Sequence, residues 1–237
     1  MLFFYIRHGT PTYNPDALTP LGHRQAEAIG KRLAMYGVDK IFSSTSNRAY
    51  ETAIPTAELL GKEIVQLDFA NESHAWHDLA VKTSEGNTTW SFFLPEYKTL
   101  FSKKEIQSMG RDWHKHPAFE GTKFTAGMER VQRESDAFFA SLGYEHDLEN
   151  NCYKAVAPTN ERVAMFAHHG FGLMFLSCIL DIPYPMISTR FDICHTGMTV
   201  IRFDGDDIVY PKVLELSSDS HLYKEGIMTG YNNAIRF

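Results

Sequence analysis

The sequence predicts an α/β fold, a three-layer α/β/α sandwich with a mostly parallel central sheet flanked by helices. Three observations carry this. Strand and helix signals alternate through the first third of the chain, the pattern of right-handed strand–helix–strand crossovers. The first strand segment, Leu2–Ile6, is a short continuous apolar run, which suits a strand covered on both faces. A length of 237 residues, with 43% hydrophobic and 22% charged residues, fits one domain large enough to need no disulfide or metal staples.

Leu2–Ile6 (LFFYI) reads as the first strand, followed by a polar turn region from Arg7 to Asp16. Thr19-Pro20 reads as a helix start, with Thr19 as cap and proline at the first helical position. Ala26, Ile29, Leu33 and Tyr36 then recur at helical spacing, and Gly37 suits the end. Lys40–Phe42 is a second strand ending in Ser43-Ser44. Ser46 is placed to cap a second helix running to Leu60-Gly61, which Pro55 should kink or split. Glu63–Leu67 is a third strand. The middle of the chain, about 75–125, holds all three tryptophans and two short helical patterns, Pro95–Phe101 and Lys103–His114. It reads as a helical, aromatic cap inserted within a single domain spanning 1–237, because no linker-like composition flanks it. Met128–Leu142 returns to helical spacing, Val163–Ala167 is a fourth strand, and Gly170–Leu180 a buried helix. Met198–Phe203 and Ile208–Leu216 flank Gly205-Asp206 as an antiparallel hairpin.

Composition also excludes function classes. A net charge of −6 argues against a dedicated nucleic-acid binder. The apolar runs Leu2–Ile6 and Gly170–Ile182 are too short for a signal core or a membrane span. Cys152, Cys178 and Cys194 are an odd, sparse set without a CxxC pair, which points to a reducing compartment. The expectation is a soluble cytoplasmic protein with no membrane or nucleic-acid partner and no metal or cofactor. His74 and His77 lack a metal-binding motif. Oligomeric state is not legible.

In parallel sheets the active site lies beyond the carboxyl ends of the strands. Arg7-His8 follows the first strand, Ser43 to Arg48 the second, Asn71-Glu72 the third and His168-His169-Gly170 the fourth. Two arginines, a carboxylate and two or three histidines therefore converge. Neutral imidazole is a nucleophile, and adjacent guanidinium groups keep it neutral. Arginines bind phosphoryl oxygens through bidentate, charge-assisted bonds, and a carboxylic acid can protonate a leaving alkoxide. Such a constellation suits phosphoryl transfer.

Arg7-His8-Gly9-Thr10 with Asn14 resembles the RHG motif of the histidine phosphatase superfamily, the branch that includes the cofactor-dependent phosphoglycerate mutases. The resemblance continues through Leu18-Thr19-Pro20-Leu21-Gly22 and Gln25-Ala26. It continues again through Ser43-Ser44, Arg48-Ala49 and Thr52-Ala53, and recurs in the late strand ending in His-Gly. It implies a phosphoglycerate mutase-like fold with His8 as nucleophile. Arg7, Arg48 and a second histidine would grip the phosphoryl group, and Asn14 would add a donor. Thr19, Gly22 and Gly170, with whichever of His168 and His169 is not catalytic, would shape the substrate site. Aligning without a gap makes His168 the second catalytic histidine, because Phe171, Phe175 and Leu176 then fall on apolar positions. Aligning on His-Gly makes it His169. Glu72, the first carboxylate after the third strand, would be the general acid, with Asp68, Asp78 and Glu85 as alternatives.

The chain contains neither the Arg-Arg nor the Pro-Pro pair that mutases of this family use. The expected activity is therefore metal-independent hydrolysis of a small phosphomonoester through phosphohistidine. The alternatives are a phosphoglycerate mutase and a phospholigand-binding homologue without turnover.

Overall fold

The computed structural model describes residues 1–231. Its central sheet has six strands, β1 (Leu2–Arg7), β2 (Lys40–Ser44), β3 (Ile64–Leu67), β4 (Arg162–Ala167), β5 (Met198–Arg202) and β6 (Lys212–Ser218). They lie in the order β6-β5-β1-β4-β2-β3. β1, β4, β2 and β3 run parallel, while β5 is antiparallel to both its neighbours. The register Ile6↔Phe166, Phe166↔Ser43 and Ser43↔Gln66 brings the carboxyl ends of four strands level. The sheet is mostly parallel, as expected.

β1 shows why the sheet sits between two helical layers. Its side chains alternate between faces. Phe4 and Ile6 pack with Ile29, Leu33, Ala53 and Ala57, which belong to α1 (Pro20–Tyr36) and α2 (Asn47–Leu60). Phe3 and Tyr5 pack with Val131, Phe139, Phe171 and Phe175, which belong to α4 (Phe124–Ser141) and α5 (His169–Leu180). Short α3 (Glu72–Leu79) follows β3. Thr19 accepts from the Gly22 amide and Pro20 opens α1, which ends at Gly37 in the left-handed conformation.

Three elements differ from expectation. α2 runs unbroken through Pro55; the proline packs against Gly30 of α1, where a Cβ would lie 3.0 Å from the Pro55 Cβ. The helical pattern of Lys103–His114 divides into Lys104–Gln107 and a 3-10 segment, Gly110–Lys115, because Gly110 takes a positive φ. The late hairpin pairs β5 with Lys212–Ser218, whereas Ile208–Val209 pairs with Tyr153 and Lys154 in a second small sheet. Pro211, which has no N–H, interrupts the apolar run between them. Aromatic residues of the 75–125 segment, among them Phe92, Phe101, Trp113 and Phe119, join the same core as Phe3 and Tyr5. No helix among the described residues is long and apolar enough to cross a membrane.

Candidate active site

His8 leaves the end of β1 and is 3% exposed. Its backbone amide continues the ladder by donating to Ala167 O, at the end of β4. Its Nδ1 lies 2.7 Å from Gly9 O. A carbonyl only accepts, so Nδ1 carries the proton and the Nε2 lone pair is left for chemistry. The ring lines a cavity of about 780 Å³ shared with Arg48, Glu72, Trp76, Trp90 and His169. Burial pushes the His8 pKa well below histidine's usual value, and His168, Arg7 and Arg48 push the same way. The imidazole is neutral at neutral pH.

His168 caps α5 and is fully buried. Its ring centroid is 5.2 Å from that of His8, and its Nε2 lies 2.8 Å from Ser44 Oγ, at the end of β2. Burial, then Arg48 and Arg7, hold its pKa well below the ordinary value. The Tyr5 hydroxyl fixes its main chain, donating to His168 O and accepting from His168 N. His169 also reaches the cavity but turns its Nε2 to Asp192, 2.8 Å away.

Arg7 is fully buried. One nitrogen donates to Ile193 O and the other lies 2.9 Å from His195 Nε2. That contact makes Nε2 an acceptor, so the His195 proton sits on Nδ1, 3.3 Å from Thr10 Oγ1. Thr10 in turn donates to Gln25 Oε1. Arg48, in the first turn of α2, pairs with Asp16 at 2.7 Å, and its Nε has no hydrogen-bond partner among the described residues. Burial raises the Asp16 pKa, but the hydrogen bond and charge of Arg48, with help from Ser46 and Asn47, hold it below the usual carboxylate range.

Glu72 opens α3 and reaches across to the N-terminus of α5. Its two oxygens accept from the amides of Gly170 and Phe171 at 2.9 and 2.8 Å. A carboxylate at a helix N-terminus satisfies amides that have no intrahelical partner. Each oxygen keeps a further lone pair. Gly170 is required here, because a Cβ would lie 2.4 Å from the six-membered ring of Trp90.

The structure thus brings His8, His168, Arg7, Arg48, Glu72, His169 and Gly170 to one end of the sheet. The other expected residues lie elsewhere. Asn14 is exposed between the strands Pro11–Tyr13 and Asp16–Leu18 and is not on the cavity wall. Thr19 bonds to Thr10 O and Gly22 N, and Gly22 packs its backbone on Gly9; both support the loop after β1. Of the alternative carboxylates, Asp78 is tied to Arg130, Asp68 contacts His74, and neither they nor Glu85 line the cavity.

Sequence reasoning missed His195, which is 5% exposed with its ring centroid 5.9 Å from that of His8. It precedes β5. Because β5 is antiparallel and Met198 pairs with Ile6, residues before this strand arrive at the edge where parallel strands end. An antiparallel strand beside a parallel one was the available signal. Asp16 and Tyr13, also on the wall, come from a hairpin too short to show a period.

Comparison with known proteins follows the same residues. Residues 3–93 match the sequence model of the histidine phosphatase superfamily (branch 1). A Hydrogenobacter thermophilus protein, provisionally named phosphoserine phosphatase 2, is 25% identical over 152 residues, 60% of this chain and 67% of its own. Among solved structures, phosphoserine phosphatase from Entamoeba histolytica, in complex with 3-phosphoglyceric acid, superposes with a TM-score of 0.59 at 17% identity. The match covers 93% of this chain and 98% of that one. A mycobacterial glucosyl-3-phosphoglycerate phosphatase gives 0.59 at 18% identity over 92% and 98%. At those identities the structural likeness is one of fold.

Proposed function

The chain belongs, through residues 3–93, to the histidine phosphatase superfamily (branch 1), and on that premise we propose that it hydrolyses phosphomonoesters of small metabolites through a phosphohistidine intermediate. The observation that carries this is the His8 tautomer. Gly9 O holds the proton on Nδ1 at 2.7 Å, so Nε2 meets the phosphorus with its lone pair.

In the first step the His8 Nε2–P bond forms and the P–O ester bond breaks. Arg48 receives the phosphoryl charge, and Arg7, His168 and His195 surround the nucleophile. Each guanidinium–phosphoryl contact at ~4 Å is worth about 4 kcal/mol at an effective dielectric of ~20, before desolvation is subtracted. The protonated carboxyl of Glu72 gives its proton to the leaving alkoxide. In the second step the Glu72 carboxylate takes a proton from water as water attacks phosphorus and the N–P bond breaks. Names of relatives support a small phosphorylated substrate: a phosphoserine phosphatase and a glucosyl-3-phosphoglycerate phosphatase share the fold.

The test is hydrolysis of p-nitrophenyl phosphate across pH 5–8 in EDTA, for wild type and His8→Ala. Turnover that resists EDTA and disappears in the variant is expected. Absence of turnover in the wild type, or turnover that survives in His8→Ala, would contradict the reading.

A further inference from the structure

We propose that the leaving alcohol of the substrate is uncharged and carries a flat apolar face, which stacks on a tryptophan wall beside the nucleophile. This rests on the phosphatase reading above and names the substrate class for that same site.

Two features of the cavity carry it. The first is the pair Trp76 and Trp90, which lines the cavity together with His8 and Glu72. Trp90 is fixed: it stacks on Phe92 with centroids 5.3 Å apart and planes 22° apart, and it lies on Gly170, where even a Cβ would clash. Trp76 meets it edge-on at 5.0 Å and 88° and remains 39% exposed. The edge of one indole is thus held against the face of the other, while Trp76 keeps apolar surface exposed on the cavity wall. A rigid aromatic surface that is left exposed in the free protein gains most from a flat partner.

The second feature is charge. Among the described residues, Arg48 is the only arginine or lysine on the cavity wall, and it faces two carboxylates there, Asp16 and Glu72. Arg48 is already engaged with Asp16 and is the group placed to meet the phosphoryl oxygens. A carboxylate on the leaving group would find no second cation on this wall to offset the water it gives up. Asn47, Asn71 and Ser73, also on the wall, are uncharged and suit hydroxyls. The chemistry that fits is an aryl- or heterocycle-bearing alcohol phosphate, in contrast to carboxylate-bearing esters such as phosphoserine.

The experiment compares kcat/KM for benzyl phosphate, glycerol 3-phosphate and phosphoserine. All three leave as alkyl alcohols, so the leaving chemistry is similar and the appended group differs. The wild type is expected to prefer benzyl phosphate over glycerol 3-phosphate by about tenfold, the worth of one good aromatic contact, and over phosphoserine by more. Trp76→Ala is expected to remove most of the benzyl preference, with a smaller change toward glycerol 3-phosphate. Phenylphosphonate, which is not hydrolysed, should quench tryptophan fluorescence in the wild type and quench it less in Trp76→Ala. Phosphoserine turned over as well as benzyl phosphate overturns the proposal and leaves the phosphatase reading standing. No turnover of any ester overturns both.

Discussion

Helix α5 has a buried histidine group at each end. At its N-terminus stand His8 and His168, beside Arg7 and Arg48. Beyond its C-terminus stands His146, whose side chain is fully buried. Its Nδ1 lies 2.7 Å from Asp136 and its Nε2 3.1 Å from Asp181, the residue that caps the helix. Tyr153 stacks on the ring at 4.1 Å, and Arg111 binds the other Asp181 oxygen. Burial disfavours the charged form at all three histidines. At His146 the hydrogen bonds and charges of the two aspartates overcome burial and raise the pKa. At His8 and His168 the arginines add to burial and lower it. The helix dipole has the matching sign at each end. The same side chain is thus held toward its neutral form at one end, where the proposed nucleophile stands, and toward its charged form at the other, and the neighbours decide which.

The contrast can be broken by mutation. His8→Ala should lose kcat by ~10⁴-fold or more, the scale for removing a covalent nucleophile, while the protein still folds; steady-state kinetics and a urea melt separate the two effects. Glu72→Gln should lower kcat about 10²–10⁴-fold toward alkyl esters and less toward p-nitrophenyl phosphate, whose leaving group needs little protonation. The new amide also faces a main-chain N–H, so a stability loss of about 1–3 kcal/mol should accompany it. His146→Ala should cost about 1–3 kcal/mol of stability, because Asp136 and Asp181 each lose a hydrogen-bond partner while Gln132 and Arg111 remain, yet leave kcat near wild type in the folded enzyme. An equal loss of activity there would deny that the two ends have separate roles.

The smallest effect is in the pH dependence of stability. His146 has a raised pKa in the fold, so its stabilisation is complete below the unfolded value of 6.5 and fades as pH rises through the folded value. His8 and His168 have depressed values, so theirs is complete above 6.5 and fades as pH falls toward the folded values. Urea melts from pH 5 to 9 should therefore show slopes of opposite sign from the two ends. His146→Ala should lose the fall on the alkaline side and keep the fall on the acid side.

How far the sequence reveals this depends on distance along the chain. Arg7-His8 and the Thr19-Pro20 helix start are local patterns, and the arginine at the start of α2 follows its strand directly, so the gathering of these side chains at one end of the sheet was legible. Glu72, which lines the cavity, was singled out by looking after the third strand. His195 escaped because that rule looks only after strands, whereas an antiparallel strand brings its preceding residues to the same edge. The far end was hidden for another reason. Asp136, His146 and Asp181 come from three separate elements, and their spacing has no periodic signature. Ile208–Val209 pairs with Tyr153 and Lys154 in strands too short for a period-2 pattern to emerge.

The most direct test of the central claim is to mix the wild-type protein with a radiolabelled phosphomonoester, quench in alkali within the first turnover, and map the labelled peptide. The account predicts transient phosphate on His8 alone, attached through Nε2, and none in His8→Ala. Rapid hydrolysis with no labelled protein, or label on His168 or His169 instead, would contradict it.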